Sequence, residues 1–354
     1  MAIDWEELDQ LAARLSAPGA GPAAVPASEW EPLRNAYAEL AAQGDWEGLI
    51  RLRLLLVTLY GRDSVTGLPL LQRIDDSAIE AAQRLERHRD LGHFWGARGH
   101  NLHRQGFHRP AIAAFEESVR HYDVAGEEWQ SLKSYYMLSL CRRALGDRAG
   151  AMHVLNEVLA RVAVDDPWRG NPLQVMAWLQ RDRGDLAGAE ASLREALALQ
   201  ERTSDPDILA AGTLADLGEV VSLQDRGDYA NRGARSAEAA ACFERSLAIL
   251  AQYAGQYNRQ EARSLLRYAE HLLRRRDHRG ARQLLDRADD LIRAHGQYYD
   301  QMWRLELAYS RVYWQRGEWF TALRKLRSAV RYRNLLHLPM RHRLRMLLRR
   351  WGLP

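Results

Sequence analysis

At 354 residues, with 47% hydrophobic and 27% charged residues, the chain has the proportions of an ordinary folded protein, which argues against both disorder and a membrane-spanning architecture. Its longest apolar stretch, Leu54 to Tyr60, is interrupted by Thr58 and falls far short of the roughly 20 apolar residues that a transmembrane helix needs. The net charge of +4 hides two opposite poles, because residues 1–50 hold nine acids against Arg14 and Arg34, whereas residues 321–354 hold nine arginines and Lys325 with no acid.

In chain order, residues 3–15 predict a short amphipathic helix with Ile3, Leu8, Leu11 and Leu15 as its apolar positions. The first residues, Met1 to Glu7, are acidic where a secretory signal or transit peptide would be basic, so a cytoplasmic location is expected. Ser16 to Ser28 carries Pro18, Pro22 and Pro26 among glycines and alanines and reads as a linker, so 1–28 form one segment, helix and linker together. From residue 29 to 335 a Gly-Asp turn or a near relative recurs, at Gly44-Asp45, Gly106-Phe107, Gly146-Asp147, Gly184-Asp185, Arg276-Asp277 and Gly317-Glu318. Each turn is flanked by helical stretches. After five of them comes a small residue, a large apolar one four later and a small or apolar one three after that: Ala111/Phe115/Ser118, Ala151/Leu155/Val158, Ala189/Leu193/Ala196, Ala281/Leu285/Ala288 and Ala322/Leu326/Ala329. Spacings of four and three put each trio on one helical stripe, where the small residues let two backbones approach. A sixth trio, Ala239/Phe243/Ser246, fits if the turn after Gln224 carries a loop-like insertion over Asp225 to Ala234. At the end, 336–354 read as a basic capping helix, with Leu344, Leu347, Leu348 and Trp351 on one stripe among arginines.

This pattern resembles the tetratricopeptide repeat family. The best single match is Trp95, Gly99, Leu102, Gly106, Ala111, Phe115 and Ser118, in register with the family's signature, with Arg98 where the family has a leucine. The resemblance covers about residues 30 to 335 and implies an all-α fold, a right-handed α-solenoid of stacked helix-turn-helix repeats. Successive stripe alanines lie 40, 38, 50, 42 and 41 residues apart, longer than the family's basic unit of about 34, and similar to the long units of bacterial regulatory arrays.

The chain shows no phosphate loop, no GxGxxG after a strand, no HExxH, no GxSxG and no calcium loop, and lysine chemistry has only Lys133 and Lys325 to draw on. A non-catalytic protein without a cofactor is therefore expected. Cys141 and Cys242 lie far apart with no CxxC near either, so both read as small core residues. His88, His93, His100, His103 and His108 form a cluster in which His93, His100 and His103 share a helical face. With no cysteine or carboxylate nearby in sequence to complete a ligand set, that cluster reads as a polar groove face and not as a metal site.

In the resembled family the first helix of each pair lines a concave groove. Phasing on the turns then assigns to this groove His93, His100, His103 and Arg104; Lys133, Tyr136 and Arg143; Asn171, Gln174, Trp178 and Arg181; and Arg263, Arg304 and Arg311. These positions are rich in cations and aromatics, a composition that dominates binding energy at interfaces, although arginine is also this chain's general surface cation. The family's carboxylate clamp for chaperone tails is not reproduced. The expectation is a protein-binding module (adaptor, inhibitor or regulatory subunit) whose basic groove takes an acidic or amphipathic segment. Two alternatives stay open: nucleic-acid binding through the Arg-rich C-terminal region, and self-assembly through the opposite-charge ends.

Overall fold

The computed structural model of the chain describes residues 3–16, 30–56, 69–104, 106–202, 208–224, 232–253, 256–295 and 299–334. Every regular element among them is helical. The order is α1 (Trp5–Ser16), α2 (Glu31–Gln43), α3 (Trp46–Leu55), α4 (Pro69–Arg84), α5 (His88–Arg104), α6 (His108–Val124), α7 (Glu128–Leu145), α8 (Arg148–Arg161), a 3-10 turn (Pro167–Arg169), α9 (Gly170–Arg183), α10 (Leu186–Gln200), α11 (Ile208–Gln224), α12 (Arg232–Ala251), α13 (Asn258–Arg274), α14 (His278–His295), α15 (Tyr299–Gln315) and α16 (Trp319–Asn334). The linker expected after Ser16 and the cap expected over 336–354 lie outside the described residues. So does most of the insertion after Gln224, although Arg232 to Ala234, which read as loop, are the first turn of α12.

The Gly-Asp turn works as two caps joined back to back. Gly146 ends α7 at φ +84°, a conformation that costs an L residue with a Cβ about 1–2 kcal/mol. Its N–H donates to the Arg143 carbonyl at 3.0 Å, and the Asp147 N–H donates to that of Arg142 at 2.9 Å. Asp147 then caps α8 by accepting from the Gly150 N–H at 2.9 Å. The same cap recurs from Gly48 to Asp45 at 2.9 Å, Gly188 to Asp185 at 2.8 Å and Gly280 to Asp277 at 2.9 Å. A Cβ on any of those four glycines would collide with the capping carboxylate, so the full turn motif is Gly-Asp-x-x-Gly. Arg276 takes the first glycine's place at φ +64° and carries that strain.

The chain divides into two compact units, Met1–Val154 and Leu155–Pro354. In the first, α5, α6 and α7 pack consecutively, and α5 also touches α7. In the second, α9 to α12 pack consecutively, α13 pairs with α14 and α15 with α16, and the first helices α9, α11, α13 and α15 touch in series. Five of the six trios read from the sequence are fully buried, while in Ala322/Leu326/Ala329 the central Leu326 is half-buried. Ala111, Phe115, Ser118, Ala151, Leu155, Val158, Ala189, Leu193, Ala196, Ala239, Phe243, Ser246, Ala281, Leu285 and Ala288 are all fully buried. This helical pairing, with first helices stacked on one another, is a tetratricopeptide-like α-solenoid architecture.

Gly99 lets α5 close onto α6, since a Cβ there would sit 2.8 Å from the Phe115 ring. Gly99→Ala is expected to cost about 1–3 kcal/mol by overpacking, read as a lower urea midpoint with an unchanged slope. A cost near zero would show that the seam is looser than this packing requires.

Candidate functional site

In the first unit the residues expected on the groove face diverge. His93 is half-buried, and burial first, then the Arg53 charge, holds its pKa below the usual histidine value. His100 is exposed and meets the Phe115 ring edge-on at 5.3 Å. His103 turns to α7, where the Cys141 Sγ lies 3.3 Å from its Nδ1. Lys133 lies over the Trp129 ring at 5.9 Å, one turn earlier on its own helix. Tyr136 and Arg143 are half-buried on α7, whereas the Arg104 side chain lies outside those described. Arg98, the departure from the family pattern, has a partner of its own. Its guanidinium bonds Asp75 at 2.8 Å and also Asp76, both on α4, while Asp75 takes the fully buried Arg53 at 2.8 Å. A leucine at 98 would leave that carboxylate pair with fewer cations to balance it.

In the second unit the expected residues converge. Gln174, Trp178 and Arg181 on α9 face α11, and Arg263 comes over from α13 with its guanidinium 5.2 Å above the Trp178 ring. What joins them is a pair of acids. Asp216 accepts from Gln174 Nε2 at 2.6 Å and from Arg263 at 3.1 Å and forms an ion pair with the buried Arg267, while Glu219 accepts from Arg181 at 2.7 Å and forms an ion pair with Arg267 at 3.0 Å. Asp182 adds a contact to Arg181 at 3.3 Å. Burial opposes the charge on Arg181, but Glu219 and then Asp182 outweigh it and hold the pKa above the ordinary arginine value. Arg263 goes the other way. Burial, followed by the Arg267 charge, pulls it down to about 10, so it remains a cation at neutral pH. Of the remaining expected residues, Asn171 lies in the first turn of α9, Arg304 lies 5.6 Å over the Trp303 ring, and Arg311 sits two turns further along α15.

The face on α9, α11 and α13 is therefore charge-paired where it was expected to be simply basic, because α11 supplies two acids to three arginines. Asp216 and Glu219 escaped the phasing because the insertion after Gln224 displaces the turn that would have registered α11. A signal was available: Ile208 to Gln224 is apolar or small almost throughout, and these are its only charged residues, spaced i, i+3.

One pairing of chemically active groups is sealed. The Ser222 Oγ lies 2.7 Å from His271 Nδ1, with Ser236 3.4 Å from Nε2, yet Ser222, Ser236 and His271 are all buried, so no substrate reaches them. Among the described residues no helix is long and apolar enough to cross a membrane.

No protein-family model matches the sequence, and no curated protein matches it either. Solved structures do match by shape. A Rap protein complexed with Competence and Sporulation Factor is 10% identical, with a TM-score of 0.59 over 94% of this chain and 98% of that one. The human IFIT1 dimer with m7Gppp-AAAA is 13% identical, with a TM-score of 0.55 over 86% of this chain and 64% of that one. At such identities the likeness is one of fold, and it places this chain among helical repeat proteins of tetratricopeptide-like architecture.

Proposed function

We propose that the chain is a non-catalytic protein-binding module, an adaptor, inhibitor or regulatory subunit, whose first-helix faces take an amphipathic protein segment. The observation that carries this reading is the Arg263 guanidinium held 5.2 Å over Trp178 within the charge-paired arginines of α9 and α13. It forms a preset, half-buried aromatic and arginine surface of the kind that anchors interfaces. Between an acidic and an amphipathic segment, the pairing favours the amphipathic one, since an incoming carboxylate would have to compete with Asp216 and Glu219. The similar folds that hold Competence and Sporulation Factor and m7Gppp-AAAA support binding as the use of such a scaffold. The same reading makes the protein a cytoplasmic one of bacterial type.

Nucleic-acid binding through the C-terminal arginines receives less support. Of the C-terminal cations among the described residues, Arg333 is buried against the Trp303 ring at 5.0 Å and Lys325 bonds Glu306 at 3.1 Å, whereas Arg324, Arg327 and Arg331 are exposed, and the arginines from Arg341 on lie outside those described. Self-assembly through opposite ends rests partly on residues beyond 334, outside those described.

The test is capture from native lysate at physiological salt, with and without nuclease, using the wild-type chain and a Tyr136→Ala, Trp178→Ala variant as baits. One protein recovered with the wild type, insensitive to nuclease and reduced about tenfold or more by the variant, is the expected outcome. Recovery abolished by nuclease would transfer the assignment to nucleic acid. Undiminished recovery by a variant of unchanged helicity would show that these faces are not the site.

A further inference from the structure

In sequence, the cysteine that faces His103 is 38 residues away, and the fold removes that distance. His103 lies in the last turn of α5, His108 begins α6 across the Gly106 turn, and Cys141 sits on α7 opposite both. One ligand atom from each of the three lies within 4.8 Å of the other two. The two imidazoles stand with centroids 5.1 Å apart at a tilt. Cys141 is fully buried, while the histidines are only half-buried and leave one side of the trio toward solvent.

The arrangement meets the demands of one kind of ligand. With Zn–N near 2.0 Å and Zn–S near 2.3 Å, a tetrahedral zinc has ligand-to-ligand edges of roughly 3.3 to 3.6 Å. The Cys141 to His103 separation of 3.3 Å already lies on such an edge. His108, at the first position of its helix, has to close by at most about 1.5 Å, the difference between the 4.8 Å limit and such an edge. Two imidazoles and a thiolate are borderline-to-soft donors, which select zinc over calcium or magnesium.

We propose that His103, His108 and Cys141 form a zinc site of three protein ligands, with the fourth position open to solvent, that pins the α5–α6 turn to α7. Burial pushes the Cys141 thiol up to about 12, so the free site carries a thiol, and zinc binds by forming the Zn–S bond and releasing that proton to water. Without metal, an S–H···N bond from Cys141 to His103 accounts for that pair.

The test uses the full chain, stripped with a chelator and titrated with cobalt(II) as a spectroscopic probe and then with zinc. The expected result is one cobalt per chain with a thiolate-to-cobalt charge-transfer band, displacement by zinc, and a higher Tm with zinc present. His108→Gln and Cys141→Ser should each abolish the band, and His100→Gln, outside the trio, should keep it. Should Cys141→Ser fail to fold, His108→Gln alone decides, because its side chain is only half-buried. Metal bound without the charge-transfer band, binding unchanged in His108→Gln, or no binding at tens of micromolar metal would each overturn the proposal.

Discussion

Asp216→Ala is expected to destabilise the chain by about 3–5 kcal/mol, the range for removing one partner of a buried ion pair. Asp216 is buried, accepts from Gln174 and Arg263 and forms an ion pair with Arg267, and these three partners come from two different helices. Truncating it strands Arg267, whose side chain is only 4% exposed, with Glu219 as its remaining carboxylate. The lower end of the range applies because that carboxylate stays in place. The cost is one of desolvation, which a second substitution can distinguish from simple loss of contacts. In Asp216→Leu, Arg267→Leu both charges go and the volume is largely kept, so stability should recover to within about 1–2 kcal/mol of wild type. Urea denaturation of the single and double variants measures this. A single-variant cost below about 1 kcal/mol would mean that the arginines find water or other acids, and that Asp216 does not organise the face.

The contrast between α11 and its neighbours shows which parts of this molecule the sequence displays. The trios from Ala111 to Ala288 were legible because burial at a seam repeats with helical spacing, and repetition makes a weak local signal specific. The turn was legible in its first half, Gly-Asp, while its second glycine went unread. That glycine is demanded by the capping carboxylate in three dimensions and not by helix periodicity. Partners across helices were the least legible. Arg98 and Asp75 are 23 residues apart, Arg263 and Asp216 47, and Cys141 and His103 38, and helix-to-helix register decides who meets whom. A list of outward arginines therefore predicted a basic face, and only the packed helices reveal the acids that balance it.

Acid should weaken the second unit through a single imidazole. His271 sits on α13 behind Ser222 and Ser236, with Ser222 also accepting from Arg274 Nε at 3.0 Å. That bond leaves the Ser222 proton to point at His271 Nδ1, the arrangement of a neutral ring protonated on Nε2. Burial, followed by the Arg274 and Arg275 charges, lowers the His271 pKa to about 4. The folded state thus binds its proton less readily than the unfolded chain does, at an ordinary value near 6.5. Stability from this group is complete above about pH 6.5 and is lost as pH falls through that value toward 4, by about 3 kcal/mol in total. Lowered values at His93 and His121 act in the same direction, so wild type alone does not isolate the effect. The difference between wild type and His271→Gln does. Urea midpoints at pH 7, 5.5 and 4.5 should converge as pH falls, because glutamine keeps a polar contact to the serines but has no proton to gain. Parallel curves for the two proteins would mean that His271 titrates normally and that water or a carboxylate reaches its ring, contrary to the sealed packing on α13.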